Sequence, residues 1–375
     1  MNQTTESIAE TIEKNARRHA AGKKRADRLA RWIFLALAVI CASVIVVVLV
    51  FIVERGLKPF FHRYRTQLSD GTPFEGTASF SYFFSGTRFS NGFDLTNHHY
   101  LYGVGHLIVN SLILNFFTIL FAVPTSILTA LFISKIAPKP LAVILKSGVD
   151  LLAAIPSVIY GVFGMGVVVP LVRSWARAWG MSDASGVSLL SGAIVLTFMI
   201  IPTIVSISVT ALDGVHKDQM EGSLALGASK TQTNFKICLR AAKSGIFAGI
   251  ILGVGRALGE ATAISMVCGA PIQGITWNPF TPTVTLTSQM LMALGEAIPD
   301  SMNYDIRFSA GMVLMIIILI TNVTLNDIKD HLSEINPPPF RIVRVGRAIK
   351  KGTLWAVSPL RKAWQKRKLA KEENR

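Results

Sequence analysis

An uninterrupted apolar run near the N-terminus constrains this chain more than any other feature. Residues 32–53 contain no charged side chain, and a helix of about 20 apolar residues spans the roughly 30 Å of a bilayer core. Of the 375 residues, 16% are charged and 51% are hydrophobic, whereas soluble domains average about 25% charged residues. A soluble protein with one large core does not explain several such runs, so the sequence predicts a membrane protein.

Six apolar segments predict an all-α membrane protein with six transmembrane helices. Prolines inside three of them are compatible with membrane helices, because neighbouring groups satisfy the backbone atoms that a proline leaves free. The predicted spans are residues 32–53, 105–133, 148–172, 188–212, 244–269 and 308–326.

The distribution of basic residues predicts the orientation of these spans. Eight Lys and Arg residues precede residue 32, and thirteen follow residue 328. Loops rich in Lys and Arg stay in the cytoplasm, so both termini are expected inside the cell. Four basic residues between Arg55 and Arg65, in a loop expected outside, depart from that rule. The basic ends flank membrane spans and lack interleaved aromatic side chains, so we expect contacts with membrane lipid and not with nucleic acid.

These assignments divide the chain into four regions. Residues 1–31 form a basic cytoplasmic N-terminal segment, 32–104 the first transmembrane helix and an extracytoplasmic loop, 105–328 the helical core, and 329–375 a basic cytoplasmic tail. The loop at 54–104 is expected to form no domain of its own, because it shows little periodicity. Its dense aromatic residues predict a layer at the membrane interface.

A short polar segment between the fourth and fifth spans predicts a contact site for a partner in water. Residues 216–226 suit a helix, Gly227 permits a left-handed turn that other residues resist, and Ser229 suits the start of a second helix at 229–240. We name residues 216–240 the elbow. Such an elbow can dock on another subunit and transmit a push to the adjacent spans. An amphipathic surface loop without a partner is the alternative.

The elbow resembles the EAA loop of the permease subunits of ATP-binding-cassette importers. Glu221 is followed six residues later by Gly227 and then by Ile237 and Leu239, as in the pattern E-A-A, three residues, G, nine residues, I-x-L-P. Arg240 stands in place of the proline, which leaves the end of the second helix open. The resemblance implies a coupling loop at residues 213–243 that docks on an ATPase. Its coupling residues would be Glu221, Gly222, Ser223, Gly227, Ile237 and Leu239, with Gly222 and Ser223 in place of the two alanines.

Three further stretches resemble the PstC-type permease of the phosphate importer. They are ALGASKTQTNFKI in the elbow, GIILGVGRALGEATAISMVCG in the fifth span and AAIPSVIYGVFGMGVVVPLV in the third. The sibling PstA-type permease shares much of this layout, and the run GVGRALGEA favours the PstC type. The resemblance covers about residues 30–330. It implies the type I ABC importer permease (MetI-like) fold in the plasma membrane of a bacterium or archaeon.

The same resemblance implies the partners: a PstA-type permease, two PstB-type ATP-binding subunits and an extracytoplasmic PstS-type phosphate-binding protein. The chain contains no G-x-x-x-x-G-K-[S/T] phosphate loop, so ATP and Mg would be bound by the partner ATPase and no cofactor is expected in this chain. No Ser, His and Asp constellation or carboxylate pair predicts a catalytic residue, so the chain is not expected to be an enzyme. The adjacent His98 and His99 lack a spaced Cys or acidic partner, and no metal site is expected.

Two charged residues inside the fifth span predict the substrate pathway. Arg256 and Glu260 lie four residues apart, so on one continuous helix they share a face and can pair. Charges at membrane depth cost a few kcal/mol and usually face a pathway or a partner. An ion pair that fixes helix packing is the structural alternative. Arg presents a forked set of donors to a tetrahedral oxyanion, and the resemblance implicates both residues in the passage of phosphate.

Other substrates and mechanisms stay open at this stage. Molybdate and sulfate are tetrahedral oxyanions and fit the same chemistry. An ion-driven secondary transporter is less favoured, because it would predict inverted repeats and acids on several spans. Glu260 is the one acid that falls within the six predicted spans apart from Asp150 near the start of the third, and no clear repeat is evident.

Glycines in the fifth span predict close helix packing. Gly245, Gly249 and Gly253 recur every four residues, which forms a small-xxx-small ladder that lets two helices approach each other. A shift between packed states during transport is the sharper alternative.

Overall fold

The computed structural model describes residues 2–67, 73–94, 98–269, 274–292, 294–295 and 297–333. The predicted tail beyond residue 333 lies outside the described residues. In the part of the chain that is described, the α-helices are α1 Asn2–Phe61, α2 Phe80–Ser85, α3 Gly105–Leu131, α4 Lys139–Ala154, α5 Ser157–Phe163, α6 Val169–Ala178, α7 Leu189–Asp213, α8 Lys217–Ala225, α9 Lys230–Gln232, α10 Leu239–Gly259, α11 Thr262–Val267, α12 Leu286–Leu291 and α13 Met302–Ser333. The strands are β1 Tyr64–Gln67, β2 Pro73–Ala78, β3 Phe89–Asp94 and β4 His99–Tyr102. Wider, π-helical turns occupy Phe132–Ile136, Gly164–Val168 and Thr233–Cys238.

Six helical stretches are long and apolar enough to cross a membrane, which confirms the predicted fold class. Because consecutive spans alternate in direction, their ends fall on two sides of the bundle. We call the side that carries the strands the sheet side and the side that carries residues 216–240 the elbow side. The spans, numbered one to six, are Ala30–Phe61, Gly105–Ile136, Ser157–Ala178, Leu189–Asp213, Lys230–Gly259 and Met302–His331.

The third span begins later than the predicted range 148–172. Helix α4 ends at Ala154, and Ile155 adopts an extended backbone with ψ of 127°. A proline disfavours the helical conformation in the residue before it, so Pro156 separates α4 from the span. The span itself begins at Ser157 and runs on to Ala178.

The fifth span differs from its predicted range at both ends. The second elbow helix, drawn at residues 229–240 with its end left open, continues without interruption into the span, as Lys230–Gly259. Unlike a proline, Arg240 has a backbone N–H that can donate a helical hydrogen bond, so the helix can run on through this position. At the other end the helix stops at Gly259, ten residues before the predicted end at 269.

The 54–104 loop contains a small sheet, which the lack of periodicity in its sequence did not indicate. Its strands make a sheet in the order β1-β2-β4-β3. Four of its aromatic residues, Phe74, Phe83, Tyr100 and Tyr102, are buried together in a core that includes the first turn of α3. The aromatic layer at the membrane interface stays a prediction. The strands have only four to six residues each, which is too short for a clear alternating pattern in the sequence.

Ion pairs account for two of the basic residues that depart from the orientation rule. At the sheet-side end of span one, Arg55 and Lys58 each pair with both Asp300 and Asp305, at the start of span six. The Nζ of Lys58 lies 2.8 Å from Oδ1 of Asp300. Hydrogen bonds from Lys58 and Arg55 lower the pKa of the Asp300 carboxyl to about 2. These cations are thus neutralised locally and join span one to span six.

The glycine ladder of span five packs against span four, as predicted. A Cβ at Gly245, Gly249 or Gly253 would come within 2.4, 3.2 and 2.7 Å, respectively, of a side-chain atom of α7. Contacts that close require one helix to move. The absence of side chains at these three positions therefore permits the observed approach of α10 to α7.

Candidate functional site

The first half of the elbow is α8, which closes at Gly227 as predicted. Gly227 has a φ of +84°, in the left-handed region that glycine enters without strain. Its N–H donates to the carbonyl of Leu224 at 3.0 Å, and the N–H of Ala228 donates to the carbonyl of Ser223 at 3.2 Å. These two bonds form the Schellman pattern, which satisfies the last carbonyls of a helix. The turn is therefore fixed by the backbone itself.

The second half of the elbow starts at Ser229, also as predicted. The Ser229 hydroxyl accepts the backbone N–H of Gln232 at 3.2 Å, and the Gln232 side chain accepts the N–H of Ser229 at 3.0 Å. This reciprocal pair is a capping box. Across the turn, the hydroxyls of Ser223 and Thr233 lie 3.0 Å apart. The two halves are thus held together as one unit that continues into span five.

The predicted coupling residues divide into two groups. Glu221, Gly222 and Gly227 are exposed, and a Cβ at either glycine would meet nothing within 4 Å. Ile237 and Leu239 are half-buried instead, and Leu239 packs against the core of the bundle. The outward surface of the elbow therefore comes from α8 and its turn, while the later residues attach the elbow to the bundle.

An apolar side chain at the tip of the elbow was missed by the sequence reasoning. Leu226 is 91% exposed, directly before Gly227. Its position next to the turn glycine is the signal that could have identified it.

Arg256, in span five, faces a cavity of about 670 Å³ that lies between α10 and α13. Its Nη1 donates to the Thr203 hydroxyl of span four at 3.0 Å. Among the described residues, no carboxylate lies within 4 Å of its guanidinium group. Asn322, Asn326 and Lys329 also line the cavity, which has two cations and no acidic residue in its wall.

The predicted pair between Arg256 and Glu260 is wrong. Helix α10 ends at Gly259, and Glu260 has an extended backbone with a ψ of 123°, so it leaves the helical face that a spacing of four residues would give. Its Oε1 accepts the N–H of Ala263 at 3.0 Å, and its carbonyl accepts the Thr287 hydroxyl at 2.8 Å. Glu260 therefore stabilises the turn between α10 and α11.

Residues 105–332 match the family described as binding-protein-dependent transport system inner membrane components. The match covers more than half of the chain and includes five of the six spans, the elbow and Arg256. The chain belongs to this permease family. The permease is thus a multi-pass membrane subunit of a transport system that also requires an ATPase and a substrate-binding protein.

Relatives from bacteria and an archaeon resemble most of the permease. The probable ABC transporter permease protein YqgH of Bacillus subtilis (strain 168) is 33% identical, over 76% of this chain and 85% of its own length. The probable phosphate transport system permease protein PstC of Methanocaldococcus jannaschii is 32% identical over 62% of this chain and 78% of its own. The PstC of Pasteurella multocida is 32% identical over 60% and 73%. Among solved structures, a chain of the inward-facing MetNI methionine ABC transporter has 18% identity and a TM-score of 0.45, over 62% of this chain and 95% of that chain.

Three polar residues of the permease that line the cavity were missed by the sequence reasoning. Asn322 and Asn326 lie within the predicted span 308–326, but no role was assigned to them. Lys329 was assigned to the tail, whereas α13 continues through it to Ser333. Their spacing of four and three residues on an apolar helix is the signal that identifies a polar stripe.

A second arginine of the permease was missed because it was assigned to the loop before span six. Arg307 is 6% exposed and lies within α13. Its Nη1 donates to the carbonyls of Gln289, at 2.7 Å, and Met292, and its Nη2 donates to Oδ1 of Asn303 at 3.2 Å. The guanidinium group thus binds the carbonyls at the end of α12, which indicates a structural role.

Proposed function

We propose that this chain is the transmembrane permease subunit of an ATP-driven importer of inorganic phosphate, which lines the translocation path and couples to ATPase subunits through residues 216–240. The relatives from M. jannaschii and P. multocida support the substrate, since both are named as phosphate transport system permeases. One observation carries the proposal: the Arg256 guanidinium faces a cavity and has no carboxylate partner among the described residues.

The chemistry of this cavity suits a tetrahedral oxyanion. A cation at membrane depth is costly unless another charge compensates it, and a passing anion supplies that charge. The guanidinium group offers a planar fork of N–H donors to phosphate oxygens, and the Thr203 hydroxyl occupies only Nη1. At this position one guanidinium group beside the neutral Thr203 hydroxyl binds the ion weakly enough for it to leave.

Glu260 acts on the path by fixing the backbone next to Arg256, and not through an ion pair with Arg256. Its carboxylate accepts the N–H of Ala263, which fixes the turn that follows α10. Arg256 lies one helical turn before that point, so the same bond limits the movement of its backbone.

We propose that the ATPase docks on the exposed face of the elbow, at Glu221, Gly222 and Gly227. The Ser223 hydroxyl bond keeps this face rigid. Because the second half of the elbow, with Ile237 and Leu239, runs without a break into span five, a push on the elbow moves the helix that carries Arg256. ATP binding by two PstB-type subunits would supply the push, and hydrolysis would reset it.

The remaining partners follow from this arrangement. Both termini and the elbow side lie in the cytoplasm, in line with the excess of Lys and Arg there. The sheet side faces a PstS-type phosphate-binding protein, and a PstA-type permease completes the path in the membrane. The importer would reside in the plasma membrane of a bacterium or archaeon.

Uptake of labelled phosphate in a strain that lacks this gene tests the substrate. We expect the gene to restore uptake, unlabelled phosphate to compete, and excess sulfate or molybdate to have no effect. Restored uptake of sulfate or molybdate in place of phosphate would reassign the substrate. Uptake that survives ATP depletion but stops when ion gradients collapse would indicate a secondary transporter.

Crosslinking tests the docking of the ATPase on the elbow. In a variant without the native cysteines, Glu221→Cys is expected to form an adduct with the ATP-binding subunit. Met220→Cys is the matched control, because Met220 is half-buried against the core and should not react. Absence of an ATPase adduct from Glu221→Cys in an assembled complex would contradict the docking.

A further inference from the structure

The cavity that Arg256 faces continues along span six as a polar stripe. Asn322, Asn326 and Lys329 all line it, and their spacing places them on one face of α13. The stripe extends over eight residues, whose seven steps amount to roughly 10 Å of helix, and runs toward the elbow side. At its start, Oδ1 of Asn322 lies 3.9 Å from the position of a Cβ on Gly255, the neighbour of Arg256.

Among the described residues, the polar groups of this stripe have few partners. The Asn326 amide donates to the backbone carbonyl of Asn322 at 2.9 Å, which leaves its oxygen and its second N–H for other contacts. The carboxylate beside Lys329 is that of Asp330, at 3.9 Å, and Asp330 does not line the cavity. Polar side chains on a membrane helix are costly unless they face water, a partner or a passing ion.

We propose that Asn322, Asn326 and Lys329 form the second leg of the anion path, along which an ion released by Arg256 passes to the elbow side. The inference rests on the proposed function, because it takes the transported ion to be a phosphate-like oxyanion. Neutral amides donate N–H groups to such an ion and hold it weakly. The positive charge of Lys329 then draws it toward the exit.

The glycines of α10 show that space on this side is kept open. A Cβ at Gly255 would meet only the side chain of Asn322 within 4 Å, whereas a Cβ at Gly253 would stand 2.7 Å from Cγ1 of Ile204. Leu252 also lines the cavity and is 57% exposed, so the cavity opens at the surface of this chain. Gly253 therefore permits the packing of α10 against α7, and Gly255 leaves room beside Arg256.

Charge changes in the reconstituted complex, with its ATPase, second permease and binding protein, test the second leg. Asn326→Asp keeps the size of the side chain, and we expect it to lower the maximal rate of labelled-phosphate uptake roughly tenfold, because the new charge repels the ion. Lys329→Gln should cause a similar loss, and Lys329→Arg should retain most of the uptake. Lys146→Gln is the matched control, since Lys146 is exposed on α4 and does not line the cavity.

A steric series at Gly255 tests the same path without a change of charge. Gly255→Ala and Gly255→Val add volume where the structure has space, so the complex should assemble and melt as the wild type does. We expect uptake to fall slightly with Ala and several-fold with Val. Full uptake by Gly255→Val would contradict a path at this position.

The Arg256→Ala complex separates this inference from the proposed function. If the wild type transports phosphate and Arg256→Ala does not, while Asn326→Asp and Lys329→Gln transport normally, the proposed function stands and the second leg is overturned. If the wild type transports no phosphate, the proposed function fails, and the second leg fails with it.

An anionic lipid headgroup offers the same phosphate chemistry to the stripe. Uptake is therefore measured in vesicles of phosphatidylcholine alone and in vesicles that also contain phosphatidylglycerol. A loss of equal size in both, for Lys329→Gln, supports the path. A loss confined to the vesicles with phosphatidylglycerol overturns it and assigns Lys329 to lipid binding.

Discussion

Arg307 and Arg256 lie in adjacent spans of one bundle, yet their guanidinium groups meet different surroundings. Arg307 is almost fully buried, and its donors bind the carbonyls of Gln289 and Met292 and the side chain of Asn303. Arg256 is half-buried, donates one hydrogen bond to a hydroxyl, and faces a cavity. Neither has a carboxylate within 4 Å among the described residues.

The difference shows that a charge within the membrane does not by itself mark a pathway. What decides is whether the fold uses the donors of that charge. Fixed acceptors of the fold occupy both terminal nitrogens of Arg307, so we expect its removal to lower the stability of the permease. The N–H donors of Arg256 are largely unused among the described residues, so we expect its removal to lower the rate of transport. Substitutions at the two arginines and at their partners can break or sharpen this contrast.

The largest effect is expected from Arg307→Ala. The substitution removes the guanidinium donor from the buried carbonyl of Gln289, at a cost of roughly 1–3 kcal/mol, and also from the part-buried carbonyl of Met292. We expect little folded permease in the membrane, measured by detergent-solubilised yield and melting temperature. Arg307→Lys should recover part of the yield, because one ammonium group can reach fewer of these acceptors. Normal yield and melting of Arg307→Ala would break the contrast.

The next effect in size is expected from Arg256→Ala, and it falls on transport. Loss of a charged donor to the ion corresponds to roughly 1.5–3 kcal/mol, or about a 10- to 100-fold fall in phosphate uptake. Because the Thr203 hydroxyl is the one hydrogen-bond partner of Arg256 among the described residues, yield, melting and assembly with the ATPase should stay near those of the wild type. Loss of assembly together with uptake would give Arg256 a structural role like that of Arg307.

The elbow could be predicted in detail because its signals are local. Gly227 closes one helix through its own backbone conformation, and Ser229 starts the next through a contact three residues away. Neither depends on distant parts of the chain. The six spans were predictable for a similar reason, since length and apolar composition are sufficient to identify a membrane helix.

Several failures of the sequence reasoning depend on contacts or helix lengths that local signals do not show. The pairing of Arg256 with Glu260 assumed one continuous helix, but the turn after Gly259 is held by a contact with Thr287, 27 residues beyond Glu260. The sheet at 64–102 depends on pairing between short strands. Lys329 becomes part of the cavity only because α13 continues past the predicted end of span six.

A smaller effect is expected at Glu260, where the structure predicts a role as a cap. Glu260→Gln keeps an oxygen that accepts the N–H of Ala263, so we expect stability and uptake close to those of the wild type. Glu260→Ala removes the acceptor and should lower stability by about 1 kcal/mol, with a matching fall in uptake. Equal losses of uptake for Glu260→Gln and Glu260→Ala would show that the charge of Glu260 acts in transport. Glu260 would then be a transport residue like Arg256.

The smallest effects come from removing one hydrogen bond from each arginine. Thr203→Val keeps the branched shape but removes the hydroxyl that accepts from Arg256, so the guanidinium group is less well oriented. We expect uptake to fall roughly threefold, as for a hydrogen bond of modest net value, with melting unchanged. Asn303→Ala removes the acceptor of Arg307 Nη2 and should do the reverse, with a lower melting temperature and unchanged uptake per folded complex. Because each variant removes one partner from the same kind of side chain, a shared outcome would mean that the use of the guanidinium donors by the fold does not distinguish Arg256 from Arg307.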